Sequence, residues 1–117
     1  MLDAAVLAII EEAGVNVLTM TEGLDESEFL STRLTRQEVR RQLVVMSESL
    51  SSLSLHARGD MRELDWEGWA AAARRIGTDE NETIWFLVRS LVPATLMWLR
   101  LYRTTRPEFF AYGAEEK

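Results

Sequence analysis

Apolar residues recur along this chain in steps of three and four, the spacing of one helical face. The first series is Leu2, Val6, Ile9, Ala13, Val17 and Met20. Gly14 weakens this helix slightly, and Gly23 is placed to stop it. Asp25 followed by Glu28 opens a short second segment holding Phe29 and Leu30. Thr35 with Glu38 three residues on predicts a capping box at the start of the next helix. Its stripe of Val39, Leu43, Met46, Leu50 and Leu53 alternates steps of four and three, a coiled-coil-like seam. Ser47, Ser49, Ser51 and Ser52 are weak helix formers, so packing must hold the later half. Fraying is expected from His56 to Gly59.

Asp65 predicts a cap for a segment with Trp66, Trp69, Ala70, Ala73 and Ile76 on one side. The small, flat run Ala70 to Ala73 would let another helix approach closely. Gly77 ends this segment. Asp79 with Glu82 predicts a second capping box, leading into Ile84, Leu87, Val88, Leu91, Trp98 and Tyr102. Pro93 lies inside that run and must either kink it or sit in the first turn of a new helix. The tail from Pro107 to Tyr112 is aromatic enough to dock on the body or on a second subunit. No repeat, linker or low-complexity stretch interrupts the pattern. The reading is an all-α fold, a four- to five-helix bundle with short loops, in one domain over 1–117.

Composition narrows the chemistry. The chain has 117 residues, 47% of them hydrophobic and 27% charged, which suits one globular domain. It has no cysteine and one histidine, His56. Thiol nucleophiles, cysteine zinc sites and polyhistidine metal sites are excluded, and no cofactor is expected. No unbroken apolar run reaches the roughly 18 residues of a membrane span. Met1-Leu2-Asp3 lacks the basic start of a signal peptide. A cytoplasmic protein with no membrane partner is the expectation. Net charge is −6, which argues against indiscriminate binding to duplex DNA. The charge is uneven, because residues 1–31 carry seven acids and neither Lys nor Arg. The remainder holds 12 acids and 13 bases, all Arg except Lys117. Arg suits bidentate contact with phosphate or carboxylate, although base composition of a genome also favours it.

Six blocks, taken in order, resemble the HepT-like family of the HEPN superfamily. They are Glu28-Phe29-Leu30, Thr35-Arg36-Gln37-Glu38-Val39, Met46-Ser47-Glu48-Ser49-Leu50, Leu64-Asp65-Trp66, Ile84-Trp85 and Leu91-Val92-Pro93. The resemblance spans about residues 5–103 and leaves 104–117 as a C-terminal tail. It implies a homodimeric helical bundle that acts as the toxin of a toxin–antitoxin pair. The implied partner is a small nucleotidyltransferase-like antitoxin. It also implies metal-independent RNA cleavage by a motif of Arg, a polar residue and, a few residues on, His, with two motifs meeting at the dimer seam. In such a site His moves a proton at the ribose 2′-hydroxyl or the leaving oxygen, and Arg steadies the phosphoryl charge. Arg74 and Arg75 stand where the family's Arg belongs. Ile76-Gly77-Thr78-Asp79-Glu80-Asn81 follows, with neither His nor Tyr. The stretch from Asp65 to Trp85 is shorter than the family's, and the segment that would carry His is missing.

The candidate residues follow. Arg74 and Arg75 would hold an RNA phosphate, or form a cationic pair suited to a helix C-terminus. Glu48 and Asp65 would support the site, with Glu48 half-buried and paired to an Arg. His56 is a displaced acid–base group or an exposed residue at a frayed helix end. Arg33, Arg36, Arg40 and Arg41 bind a phosphate or an acidic partner, or pair with the acidic first 31 residues. Asp79, Glu80 and Glu82 are metal ligands or plain capping acids. Trp66, Trp69, Trp85 and Trp98 stack bases or fill the core. Three functions fit: a toxin-type component that binds its antitoxin with catalysis impaired or lost, an active ribonuclease using Arg74 and Arg75 with a non-standard acid or base, and a non-catalytic helical interaction module.

Overall fold

A computed structural model describes residues 2–76 and 81–111. Among these, 84% are helical and none is in a strand. Five longer helices form the bundle: α1 (Leu2–Thr21), α3 (Arg33–Ser51), α5 (Trp66–Ile76), α6 (Asn81–Arg89) and α7 (Leu91–Thr105). Two six-residue helices, α2 (Glu26–Ser31) and α4 (Leu55–Asp60), join them, and a 3₁₀ turn (Pro107–Phe109) follows α7. The all-α helical bundle is as expected; α2 is the short segment read at Phe29 and Leu30, and α4 is added where fraying was expected. Gly77, Asp79 and Glu80, with their stop signal and capping box, lie outside the described residues, as does Tyr112.

α1 and α3 pack antiparallel. Asp3, at the start of α1, accepts hydrogen bonds from the Ser54 backbone N–H (3.1 Å) and hydroxyl (2.7 Å) just past the end of α3. The same Ser54 Oγ accepts from the Ala57 N–H at 3.1 Å and so caps α4. The region expected to fray is therefore a capped helix. The seam Val39, Leu43, Met46, Leu50 and Leu53 is entirely buried. On α1 the buried face is Leu7, Ile10, Ala13 and Val17; Val6 is half-buried and Ile9 is exposed. The stripe read from the sequence was one step out of phase in the first half of α1, because Val and Ile occur on both faces there.

The capping box read at Thr35–Glu38 does not form, but one forms at Asp25–Glu28, where α2 starts. Asp25 accepts from the Glu28 N–H at 2.8 Å, and Glu28 accepts from the Asp25 N–H at 2.9 Å. Thr35 caps nothing, because α3 already begins at Arg33 with Thr32 at its N-cap. Glu38 instead accepts from Arg41 and from Gln42, the latter at 2.8 Å. Those bonds hold its carboxyl below the usual range, the Arg41 bond contributing most.

α7 lies antiparallel to α1. Arg103 pairs with Glu11 near one end. Further along, Gly14 backs onto Leu96, whose Cδ2 would stand 2.8 Å from any Cβ there. The glycine admits a close helix–helix approach. Gly23, at φ 80°, turns the chain out of α1. Pro93 falls in the first turn of α7, where its missing N–H has no intrahelical acceptor to lose. The tail docks on the body as far as it is described. Phe109 is buried with its ring 5.4 Å from that of His56, and Arg103 lies 4.7 Å over the Phe110 ring.

Two stretches, Asp3–Thr21 and Asn81–Thr105, are long and apolar enough to cross a membrane. Requiring an unbroken apolar run missed them, because Glu11 and Glu12 interrupt the first and Arg89 the second. In the bundle both serve as core helices, with Leu7, Ile10, Val17, Ile84, Val92 and Leu99 packed inside.

Candidate functional site

α5 is fixed in place by three side chains. Asp65 caps it, its Oδ1 accepting from the Gly68 N–H at 2.8 Å. The Trp66 indole donates to the Met61 carbonyl at 3.1 Å, and the Arg58 guanidinium lies 4.9 Å over its ring. The Trp69 indole donates to Thr95 Oγ1 at 2.9 Å, and Thr95 donates to the Leu91 carbonyl at 2.8 Å. This buried chain of hydrogen bonds pins α5 to α7. Nearby, the Tyr102 hydroxyl donates to Glu63 Oε1 at 2.6 Å. That bond, ahead of smaller effects from the Glu63 backbone N–H, Arg62 and Arg106, lowers the Glu63 pKa. Burial and the Glu63 carboxylate raise that of Tyr102.

With α5 held this way, its flank of Asp65, Gly68, Ala71, Ala72 and Arg75 faces α6. Thr83, Phe86, Leu87, Ser90 and Leu91 form the opposite wall of a groove of about 560 Å³. The floor is apolar. Asp65 marks one end and Arg75 the other, about 15 Å along the helix at 1.5 Å per residue. Glu82 also lines this groove. Phe86 stands in it 64% exposed.

Two of the four predicted site residues, Asp65 and Arg75, line this groove at its opposite ends. Arg74 is exposed at the same helix end but is absent from the groove lining. Glu48 lies on the other side of α5, in a smaller groove with Ser47, Arg58, Trp66, Ala70 and Ala73. The expectation that Glu48 is half-buried and paired is corrected: it is exposed, and its carboxylate has no ion pair among the described residues. It projects from the side of α3 away from the seam. Ala70 and Ala73 are likewise exposed, and Ala72 is the alanine that packs.

His56 does not reach the arginines. It sits on α4, beyond the end of α3, against Phe109. The end of α5 leads instead toward the start of α3, where Arg40 donates to Asn81 at 3.4 Å. Arg36 donates to the Leu30 carbonyl and Arg41 pairs with Glu38. None of these contacts joins the arginine cluster to a carboxylate of the first 31 residues. The tryptophans pack. Trp69 is buried, and Trp66, Trp85 and Trp98 are half-buried. Trp85 lies 5.0 Å from Phe29, and Trp98 stacks on Tyr102 at 5.8 Å. No group of three or more His, Asp or Glu side chains converges among the described residues.

Sequence reasoning missed Phe86. The signal was present, since Phe86 lies off the Ile84, Leu87, Val88 and Leu91 stripe and had no assigned place. No protein-family model, curated protein or solved structure matches this chain.

Proposed function

We propose that this chain acts by binding and not by cleavage. In this reading it is a HepT-like component of a toxin–antitoxin pair that docks its nucleotidyltransferase-like antitoxin across the α5–α6 groove. Arg74, exposed beside Arg75 at the end of α5, is then available to RNA phosphate or to acidic groups of the partner. The observation that carries the reading is the groove itself, with an apolar floor, an exposed Phe86 and a cationic end. An exposed aromatic beside an Arg is the composition of an interface anchor. Distance from His56 supports the loss of catalysis, because general acid–base work requires a side chain within hydrogen-bond reach of the proton it moves. The order of the six sequence blocks and the helical bundle support the HepT-like part.

The test has two arms. Wild-type protein and an Arg74→Ala/Arg75→Ala variant are incubated with labelled total RNA, and fragment ends are analysed. No new fragments are expected from either. Fragments ending in 2′,3′-cyclic phosphate, made by the wild type alone, would establish a ribonuclease and overturn the reading. In the second arm the chain is co-expressed with the product of the adjacent reading frame. Co-purification that Phe86→Ser and Arg75→Glu abolish is expected. Failure to co-purify, or indifference to both substitutions, removes the groove as the docking site.

A further inference from the structure

A second groove, of about 680 Å³, lies between α1 and α7, on a different part of the molecule from the α5–α6 groove. Val15, Leu18 and Glu22 line it from α1 and its end, and Pro93, Leu96, Met97 and Arg100 from α7. Both sets recur in steps of three and four, so each is one helical stripe. Leu18 and Leu96 are half-buried against the core and form the floor. Val15 and Met97, 53% and 57% exposed, form facing walls. The helices run antiparallel, as the Glu11–Arg103 pair and the Gly14–Leu96 contact fix. Arg100 therefore stands at one end of the groove, and Glu22 and Arg89 stand together at the other. Pro93 and Arg100 are seven residues apart, about 10 Å of apolar wall at 1.5 Å per residue.

The two ends differ in charge. Glu22 offsets Arg89, whose guanidinium also lies 5.4 Å over the Trp85 ring. Arg100 has no acid beside it in the lining. Glu11 is taken by Arg103, and Glu12 is exposed outside the groove. Among the described residues Arg100 makes no ion pair.

We infer that this groove binds a free alkyl carboxylate, with the headgroup on Arg100 and the chain laid over Leu18, Leu96 and Met97 toward Pro93. A guanidinium presents paired N–H donors whose fork matches a carboxylate. Its place at one end fixes the ligand's direction, since Glu22 repels a carboxylate at the other. The volume falls in the range of small-ligand clefts, roughly 300–1,000 Å³. The lining holds no aromatic side chain, the residue type that anchors protein partners and that Phe86 supplies in the α5–α6 groove. Aliphatic side chains and the unbranched Met97 adapt instead to a flexible chain. This site is independent of the α5–α6 groove, and either can fail alone.

Sodium decanoate, titrated into the purified chain below its micelle concentration, tests this by calorimetry and amide NMR. Saturable binding is expected, with shifts at Val15, Leu18, Leu96 and Met97. Octanoate, shorter by two methylenes, should bind about tenfold more weakly. Decanol and decyltrimethylammonium, which lack the carboxylate, should each lose about tenfold or more. Arg100→Gln should weaken decanoate by a similar factor, while Arg89→Gln should leave its affinity unchanged. Met97→Asp should abolish binding with an unchanged helical circular dichroism signal. The Arg100→Gln arm does not depend on how Met97→Asp folds. Absence of saturable binding overturns the proposal. So does binding that decanol matches or that Arg100→Gln leaves intact. Groove shifts that follow protein concentration and not decanoate overturn it and give the groove to a second copy. Binding to phosphatidylglycerol vesicles but not to decanoate overturns it and gives the groove to a bilayer.

Discussion

Along α3 the seam of Val39, Leu43, Met46 and Leu50 is buried, while α6 hides Ile84, Leu87 and Val88 and leaves Phe86 in solvent. Both helices are amphipathic, and both face α5. The difference lies in how extensively their neighbours cover them. α3 is packed by α1 on one side and α5 on another, with α2 across its start. α6 is only nine residues long and touches α7, α5, α1 and α2 more briefly, and the space between it and α5 stays open. An enclosed stripe contributes to stability, and an aromatic left outside the stripe is available for recognition.

Substitutions can break or sharpen this contrast. The largest effect is expected at Leu43, which is fully buried. Leu43→Ala should cost about 3 kcal/mol in urea unfolding, the usual scale for a buried Leu truncated in a core. A smaller loss is expected at Asp65→Ala, which removes the α5 cap and should cost about 1 kcal/mol. It should weaken the docking proposed for the α5–α6 groove only to the extent that α5 shifts, which amide exchange along α5 would read. The smallest is Phe86→Ser, for which a stability change within about 0.5 kcal/mol is expected at an exposed site. A loss of several kcal/mol there would mean that Phe86 is a core residue and would erase the contrast.

The helical class and most of the core were legible because 3.6-residue periodicity reports burial directly. The α3 seam is the clearest instance. The start of α2 at Asp25–Glu28 and the Asp65 cap were legible as well, since each lies just ahead of a helix. Thr35–Glu38 has the same letters and makes no box. Its position fell inside a helix that tertiary contacts had extended two residues upstream. The first half of α1 was misread because both of its faces are apolar, and only packing against α3 and α7 decides between them. Asp65 and Arg75 share a groove, but Glu48 is separated from them by the body of α5, and linear spacing cannot show which flank of α5 a residue on α3 will meet. The tail's docking was legible from its aromatic content, although its partners, His56 and Arg103, were not.

Pro93 has a consequence that no contact records. Its ring holds φ near the helical value in every conformation the chain visits, including the unfolded ones. The denatured ensemble therefore has fewer states to lose when the chain restarts a helix after Ser90. Prolines at compatible positions gain about 0.4–1 kcal/mol in this way. The break between α6 and α7 is thus favoured partly by a restriction on the disordered chain, and its stability cannot be read from the packed bundle alone.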